Sequence, residues 1–339
     1  MRYSTVIGID VSKKKLDLCV LSQDGQAAFS VCSNTEEAVR SELSDLLESI
    51  EDRSSVLVCA EHTSIYTYPL VNASECLSVD LWLENPAQIK LCSGVQRGKN
   101  DKVDAERIAV YAKRYHDDAR LFEATDKTME ELHHLLTERE MYVGWKAVLT
   151  GQLSDQKGYM EKRIYANKQS RAEGTSDRFK EVLAEIDQQI ESLIKNSQGL
   201  KRQYEIARSV PGIGPQTALT LLAVTKGFTQ FTEPKKLCCH AGVAPFAHQS
   251  GSALNTKWRV SQRANKRLKT LLHMAALTVV RLPGELGAYY RRKTEEGKNA
   301  MCVLNAIRAK LIHRVLACIR QDRMYDPSFS HPLAEAKGA

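Results

Sequence analysis

Two acidic residues stand at the ends of predicted buried strands, where an acidic side chain costs free energy unless a partner compensates its charge. The apolar run at residues 5–12 is typical of a buried strand and carries Asp10 near its end, and the run at 55–61 ends in Glu61. Asp101 and Asp104 are three apart, so they share one face at the start of a predicted helix. Hard oxygen ligands suit Mg²⁺ or Mn²⁺. The pattern predicts a site for one of these ions at Asp10, Glu61, Asp101 and Asp104.

Each acid also has a simpler explanation when taken alone. Asp10 could bond its own backbone in a turn, and first-turn acids such as Asp101 and Asp104 complement the dipole of a helix. All four together favour a metal site. Two ions about 4 Å apart would clamp the attacking and leaving oxygens of a phosphoryl displacement. The order strand-Asp, strand-Glu, helix-Asp-x-x-Asp is the ribonuclease H-like pattern, and more narrowly that of Holliday-junction resolvases.

The elements that position these acids predict an α/β fold for the N-terminal part. Alternating or apolar runs indicate further strands at 16–21, 27–32 and 78–83, and Asp24-Gly25 is a hairpin signal. Helices are indicated after the Asn34-Thr35 cap, from about Ile65 to Cys76, and from 101 onward with Val103, Ile108 and Tyr111 as apolar positions. Strand–helix alternation after a hairpin-rich start is typical of an α/β domain.

The middle of the chain has a different composition. Residues 127–204 are rich in Glu, Lys and Gln, contain no Pro, and place apolar residues at helical spacing between Phe179 and Ile194. This predicts a long helical hairpin or coiled coil, broken near Glu173-Gly174. It would serve association between protomers or pack within the same chain, and the sequence leaves both open.

A second module begins at Pro211-Gly212-Ile213-Gly214. These residues precede an apolar helix, as in a helix-hairpin-helix, where Gly212 and Gly214 would let backbone N–H groups approach a phosphate. A plain glycine-rich turn is the alternative. Residues 248–252 form a small polar segment predicted to be a flexible loop. Two further helices follow, with apolar residues at 268–279 and 307–319, and the tail after Asp326 is predicted to be disordered.

The charge of the chain is concentrated in its C-terminal third. The net charge is +7, but residues 251–325 carry sixteen Lys and Arg against four acids. The rest of the chain is therefore mildly acidic. This one-sided excess favours a polyanion partner, most simply DNA, over a merely solvated surface. The basic residues predicted to bind nucleic acid are Lys257, Arg259, Arg263, Lys266, Arg267 and Lys269.

Other features of the composition exclude several classes of protein. The nine cysteines are scattered without a CxxC pair, which is typical of reduced thiols in the cytoplasm. No apolar run is long enough for a bilayer span, and no signal-peptide pattern opens the chain. The sequence therefore predicts a cytoplasmic, nucleoid-associated protein without a membrane partner.

Motifs along nearly the full length resemble the DEDD-type transposases of the Piv invertase and insertion-sequence family, also described as bridge-RNA-guided recombinases. In chain order, these motifs are Gly8-Ile9-Asp10-Val11-Ser12, Cys59-Ala60-Glu61-His62-Thr63 with Tyr66, Asn85-Pro86, Lys99-Asn100-Asp101-Lys102-Val103-Asp104-Ala105, Pro211-Gly212-Ile213-Gly214, and Ala241-Gly242-Val243-Ala244-Pro245 followed by Ser250-Gly251-Ser252. The predicted organisation is a RuvC-like metal-binding domain (1–120), a helical coiled-coil region for oligomerisation (121–205), a mainly α transposase domain with a helix-hairpin-helix and a catalytic serine (206–325), and a flexible tail (326–339).

The resemblance implies a mechanism and partners beyond what the residues alone indicate. It implies that the four carboxylates bind metal and that a serine of the second module is a nucleophile, giving a covalent phosphoserine link to DNA. This role falls on Ser250, with Ser252 as a second candidate. The resemblance also implies a structured noncoding RNA that selects DNA sites, and dimers that pair into tetramers.

One motif departs from the family pattern, and three rival functions stay open. After Glu61 the family usually has Ala-Thr-Gly-x-Tyr, whereas this chain has His62-Thr63-Ser64-Ile65-Tyr66, so the backbone path beside the metal site is in question. His62 is either an extra proton acceptor or a surface-loop residue. The rivals are a metal-dependent junction nuclease without a covalent intermediate, an actin-like ATPase or sugar kinase, and a non-catalytic nucleic-acid scaffold.

Overall fold

A computed structural model describes residues 3–50, 52–92, 100–123, 126–231, 233–250, 254–260 and 264–328. For 246–250 and 254–259 the description covers the backbone only. The chain divides into two compact units, Met1–Ala124 and Thr125–Ala339. In the part of the chain described, no helix is long and apolar enough to cross a bilayer.

The first unit is built on a five-stranded mixed sheet. Its strands are β1 (Thr5–Val11), β2 (Lys15–Leu21), β3 (Ala27–Ser33), β4 (Val56–Glu61) and β5 (Asp80–Glu84), in the order β3-β2-β1-β4-β5. The first three strands pair antiparallel, whereas β4 and β5 run parallel to β1. This strand order and direction is the ribonuclease H-like arrangement, so the predicted α/β class is confirmed.

Helices cover both faces of this sheet, namely α1 (Glu36–Glu48), α2 (Tyr68–Leu77), α3 (Pro86–Cys92) and α4 (Asp101–Tyr115). As predicted, α1 follows a cap, in which the Thr35 side chain accepts a hydrogen bond from the Ala38 N–H. Its apolar stripe packs with Ile7 and Ile9 on one face of the sheet. The helix predicted from Ile65 opens with a short 3₁₀ turn, Ser64–Thr67, before α2.

Helix α4 covers the opposite face of the sheet. Not all of the apolar positions predicted for this helix are buried against it. Ile108 and Tyr111 are buried as predicted, whereas Val103 is 37% exposed. The other buried residues of α4 are Ala105, Ala109 and Ala112. Small side chains allow the helix axis to approach the sheet closely, and an apolar-periodicity reading underweights alanine.

The second unit opens with a long hairpin of two helices, α5 (Lys127–Gln156) and α6 (Lys162–Asn196). The predicted break near Glu173-Gly174 is wrong, because α6 continues through Gly174. The reversal lies instead at residues 157–161, where Gly158 has φ +88°. A single exposed glycine costs a helix only about 1 kcal/mol relative to alanine, which a long amphipathic helix tolerates.

This difference leads to a prediction for stability. A Cβ built at Gly174 meets nothing within 4 Å, so Gly174→Ala is expected to stabilise the second unit by about 1 kcal/mol. Gly158→Ala should destabilise it, because L residues rarely adopt its positive φ. Urea denaturation of both variants, followed by circular dichroism, checks the opposite signs. Equal effects would contradict the observed position of the turn.

The remaining elements are predominantly helical, as predicted. They are α7 (Gln198–Ser209), α8 (Pro215–Val224), α9 (Pro234–His240), the strands β6 (Phe246–Ser250) and β7 (Leu254–Arg259), α10 (Lys266–Val279), α11 (Glu285–Glu295) and α12 (Ala300–Arg320). Most of the apolar residues predicted on α10 and α12 lie in one core with α7 to α9, but Leu271 does not. The base of the α5–α6 hairpin shares a second core with α7 and α8. Residues 329–339 of the predicted tail lie outside the described residues.

Candidate metal centre and nucleic-acid-binding residues

Acidic side chains form a row across the sheet, one from each of four strands. Asp17 on β2 pairs with Asp10 on β1, and Glu61 on β4 pairs with Glu84 on β5. Ile9 pairs with Ala60, which places Asp10 beside Glu61. Residues in register share a face, so the row Asp17–Asp10–Glu61–Glu84 projects from one side of the sheet. It is the side covered by α4, because Gly8, two residues before Asp10, contacts that helix.

Gly8 determines how closely α4 approaches this row. A Cβ at Gly8 would lie 2.2 Å from the backbone nitrogen of Ala109 and 2.5 Å from the carbonyl oxygen of Ala105. Only glycine fits this gap. The helix begins at the Asn100 cap, whose side-chain oxygen accepts from the Lys102 N–H at 3.2 Å. The first turn of α4 is therefore fixed above the end of β1.

This packing brings three of the four predicted ligands together. Asp10, Asp101 and Asp104 each offer a carboxylate oxygen, and these atoms lie within 4.8 Å of one another. Hard divalent cations bind oxygens at about 2.0–2.6 Å, so oxygens this close can share one ion. The three residues are half-buried. Glu61 is not part of this close group, but it stands at the end of β4 beside Asp10.

The electrostatics of Asp10 agree with a cation site. The pKa of the Asp10 carboxyl is raised to about 6, first by burial and then, in this order, by the charges of Asp104, Glu61, Asp101 and Asp17. Crowded acids of this kind are stabilised by a divalent cation, which removes their mutual repulsion. The donor set, all carboxylate oxygen, fits Mg²⁺ or Mn²⁺.

Two basic side chains, Lys15 and Arg107, contact carboxylates at the edge of the cluster. Lys15 Nζ lies 2.9 Å from Asp17 Oδ2 and 2.9 Å from Asp101 Oδ2. Arg107 Nη1 lies 2.5 Å from Asp104 Oδ1. Hydrogen bonds to these acids raise the pKa of Lys15. A carboxylate has two oxygens, so a contact on one does not exclude a metal on the other.

The sequence reasoning missed Asp17, Lys15 and Glu84. Glu84 accepts hydrogen bonds from the Tyr111 hydroxyl at 3.2 Å and the Asn85 N–H at 2.6 Å. A signal for Asp17 was present, since it is an acid within an alternating strand that returns from a tight turn after Asp10. Pairing the two predicted strands would have placed it in the row.

The departure after Glu61 does not remove the tight turn there. Ser64 adopts φ +58°, the left-handed region that glycine favours, so a serine occupies the conformation expected of the family's glycine. Its N–H donates to His62 Nδ1 at 3.3 Å. His62 is exposed, as a surface-loop histidine would be.

The segment with the predicted nucleophile is not simply a loop. Residues 248–250 belong to strand β6, and Ser250 is its last residue, paired with Leu254 across a short hairpin. The loop prediction is wrong for these three residues, because pairing with β7 satisfies their backbone. Ser252 and Arg263 lie outside the described residues, and the side chains of Ser250, Lys257 and Arg259 are not described.

The remaining predicted nucleic-acid contacts differ in availability. Lys266 is exposed at the first position of α10, and Lys269 is half-buried one turn later. Arg267 forms an ion pair with Glu140 of α5, so its charge is already engaged.

The two glycines between α7 and α8 also have different roles. Gly212 has φ +89°, and a Cβ there would lie 2.8 Å from the carbonyl oxygen of Ala275, so packing against α10 explains it. Gly214 caps α8 and has open space around it. Of the pair, Gly214 is the one that a phosphate could approach.

Comparisons with known proteins cover both units. A DEDD family model of the IS110 elements, described as a transposase, matches residues 7–156, and one described as the transposase IS116/IS110/IS902 family matches residues 204–291. The pilin gene-inverting protein of Moraxella lacunata is 26% identical over 328 residues, covering 95% of this chain and 98% of that protein. The transposase for insertion sequence element IS1111A of Coxiella burnetii is 22% identical, covering 83% and 79%. The structure of Thermus thermophilus RuvC in complex with a Holliday junction substrate is 14% identical and covers 35% of this chain and 100% of that one, with a TM-score of 0.29.

The two family models follow one another in chain order; the first includes the four predicted carboxylates, and the second includes strands β6 and β7. The fold and the family matches define an enzyme that acts on DNA, of the transposase and recombinase class. The chain belongs to the DEDD transposases of the IS110 insertion-sequence family.

Proposed function

We propose that this transposase cuts and rejoins DNA strands to mobilise an insertion sequence, with a metal-bound carboxylate tetrad and Ser250 as nucleophile. The tetrad is Asp10, Glu61, Asp101 and Asp104. The observation that carries the proposal is the close group of Asp10, Asp101 and Asp104 oxygens on a ribonuclease H-like sheet. Two rival functions, an actin-like ATPase or sugar kinase and a non-catalytic nucleic-acid scaffold, do not account for a close group of three carboxylates in a transposase family.

The carboxylates hold and orient the divalent ions. When bound, Mg²⁺ or Mn²⁺ supplies Lewis-acid polarisation of the scissile phosphate and stabilises negative charge on its oxygens. Asp101 and Asp104 present their oxygens from the first turn of one helix, so they move as a unit relative to Asp10. Arg107 fixes the orientation of Asp104 through its contact with Oδ1.

The serine step conserves the number of phosphoester bonds. The Ser250 Oγ forms a bond to the scissile phosphorus, the bond from phosphorus to the leaving sugar oxygen breaks, and that oxygen takes up a proton. The serine gives its proton to a base or to solvent. Attack of a sugar hydroxyl on the phosphoserine reverses the sequence and rejoins DNA. Because no hydrolysis intervenes, no external energy source is needed.

The partners proposed are DNA, a structured noncoding guide RNA and further copies of the chain. The excess of Lys and Arg in residues 251–325 supports phosphate binding, and the open space around Gly214 at the start of α8 supports the proposed helix-hairpin-helix contact. Exposed apolar residues on the α5–α6 hairpin, namely Trp145, Val148 and Ile164, support coiled-coil association into dimers that pair as tetramers. The proposed location is the cytoplasm, on the nucleoid.

A trapping assay tests the chemistry. The purified chain, Mg²⁺ or Mn²⁺, end DNA of its element and the adjoining noncoding RNA are incubated and run on a denaturing gel. We expect a protein–DNA adduct that is lost in Ser250→Ala and in Asp10→Ala, whereas Ser252→Ala retains it. The serine controls are matched, because the two residues are two apart in one segment.

Other outcomes would identify another mechanism. Cleaved DNA without an adduct, produced equally by Ser250→Ala, would show a hydrolytic nuclease of the junction-resolving type. Loss of the adduct in Ser252→Ala alone would identify Ser252, and not Ser250, as the nucleophile. If cleavage persists in Asp10→Ala, the carboxylate site is not required for the reaction.

A further inference from the structure

Lys15 connects two elements that carry the carboxylates. It is the first residue of β2, and its Nζ contacts Asp17 on the same strand and Asp101 in the first turn of α4, at 2.9 Å each. A second contact, to Asp17 Oδ1, measures 3.2 Å. The lysine therefore links the sheet to the helix at the edge of the candidate metal centre.

Asp17 is a buried carboxylate on a paired strand, so it can hold the Lys15 side chain in place. It is 6% exposed and lies directly across from Asp10 in the antiparallel pair. A buried carboxylate is retained at low cost only when it is paired, and Lys15 supplies the pairing. Because β2 is a paired strand, Asp17 cannot follow α4 if that helix shifts.

We propose that Lys15, held by Asp17, is a positioning residue that fixes the orientation of Asp101 in the metal centre. The inference rests on the proposed function, since it assigns a role toward the same metal site. The contact between Lys15 Nζ and Asp101 Oδ2 restrains the rotation of this carboxylate beside Asp10 and Asp104. The carboxylate is thereby oriented before metal binds. Metal binding then does not have to supply the free energy of ordering it, so the affinity is higher.

Charge and position make opposite predictions for a lysine variant. Lys15→Gln removes one positive charge near the site, and on charge alone Mn²⁺ should bind more tightly. Lys13→Gln removes the same charge from the same turn, at an exposed position. If Lys15 positions Asp101, its variant should bind Mn²⁺ about 10-fold more weakly than Lys13→Gln does.

Mn²⁺ titration followed by electron paramagnetic resonance measures this difference without DNA or activity. The double variant Lys15→Met/Asp17→Asn keeps the net charge of the cluster and removes the buried acid with its partner, so it avoids an unpaired Asp17. We expect it to bind about 10-fold more weakly than the wild-type chain. Thermal unfolding in EDTA establishes that each variant is folded.

The outcomes separate this inference from the proposed function. If the wild-type chain binds Mn²⁺ and the Lys15 and Lys13 variants bind equally well, Lys15 has no positioning role, and the metal site stands. The same holds if the double variant binds like wild type. If the wild-type chain binds no Mn²⁺, the proposed metal centre itself fails.

Discussion

Asp10→Asn is expected to slow DNA strand cleavage strongly and, at the same time, to stabilise the metal-free protein. Asp10 is the member of the close group whose carboxyl carries the pKa raised to about 6. An asparagine keeps the shape but lacks the charge that binds the ion. We expect a loss of activity on the order of 10³-fold, which corresponds to about 4 kcal/mol of barrier.

The stabilisation follows from the direction of the pKa shift. A carboxyl whose pKa is higher in the folded than in the unfolded protein holds its proton more tightly when folded, so its ionisation lowers the free energy of unfolding as pH rises. That loss begins near the ordinary value of 3.8 and is complete above about 6. Without metal at pH 7.5, Asp10→Asn should therefore be more stable by about 1–2 kcal/mol, after allowance for solvent screening. The advantage should shrink as pH falls through 6 towards 4.

Guanidinium denaturation of both proteins between pH 4 and 8, in EDTA and in excess Mg²⁺, checks this prediction. Added Mg²⁺ should stabilise the wild-type chain by mass action and leave Asp10→Asn nearly unchanged, so the order of stability reverses. A variant that is less stable than wild type in EDTA at pH 7.5 would show that Asp10 is not under repulsion. A variant that still responds to Mg²⁺ would show that the other acids bind the ion without it.

The first unit was predictable because its signals are local. Buried strands require apolar β-branched runs, so an acid at the end of each run is visible in the sequence, and the i, i+3 spacing of Asp101 and Asp104 fixes a common face of a helix. The order of the acids then indicated the ribonuclease H-like class. What the sequence did not show is which acids meet, because strand register and helix position are properties of the whole sheet.

The parts that were missed depend on contacts distant in sequence or on backbone conformation. Asp17 enters the row only through its pairing with Asp10, and Lys15 reaches Asp101 only after α4 has packed. The hairpin turn at Gly158 could not be distinguished from Gly174 by composition, because both are glycines in polar surroundings. Strand β6 was hidden because His248, Gln249 and Ser250 are polar and show no apolar alternation, and because pairing with β7 stabilises them.

Gly8→Ala is expected to have the largest effect on the fold of the first unit. The added methyl would lie 2.2 Å from a backbone nitrogen and 2.5 Å from a backbone carbonyl oxygen of α4, and backbone cannot turn aside as a flexible side chain can. The helix must move away from the sheet. Overpacking usually costs about 1–3 kcal/mol, and a backbone clash places this variant at about 3 kcal/mol or more. The first turn of α4 would move with the helix, so Mn²⁺ affinity should also fall.

Two measurements connect these effects, because stability and metal affinity should change together only if the approach of α4 builds the site. Urea denaturation followed by the fluorescence of Trp82 measures the stability of the first unit, where Trp82 is buried beside Tyr111. The other two tryptophans are replaced in this background by Trp145→Phe and Trp258→Phe. Mn²⁺ titration measures the metal affinity. Gly174→Ala is the control: it should stabilise its own unit but leave the Trp82 transition of the first unit and the Mn²⁺ affinity unchanged. If Gly8→Ala is destabilised but binds Mn²⁺ like the wild-type chain, then Asp101 and Asp104 reach Asp10 without close packing at Gly8. In that case the hairpin β1–β2 and its Lys15 bridge, rather than the approach of α4 at Gly8, would hold the carboxylates together.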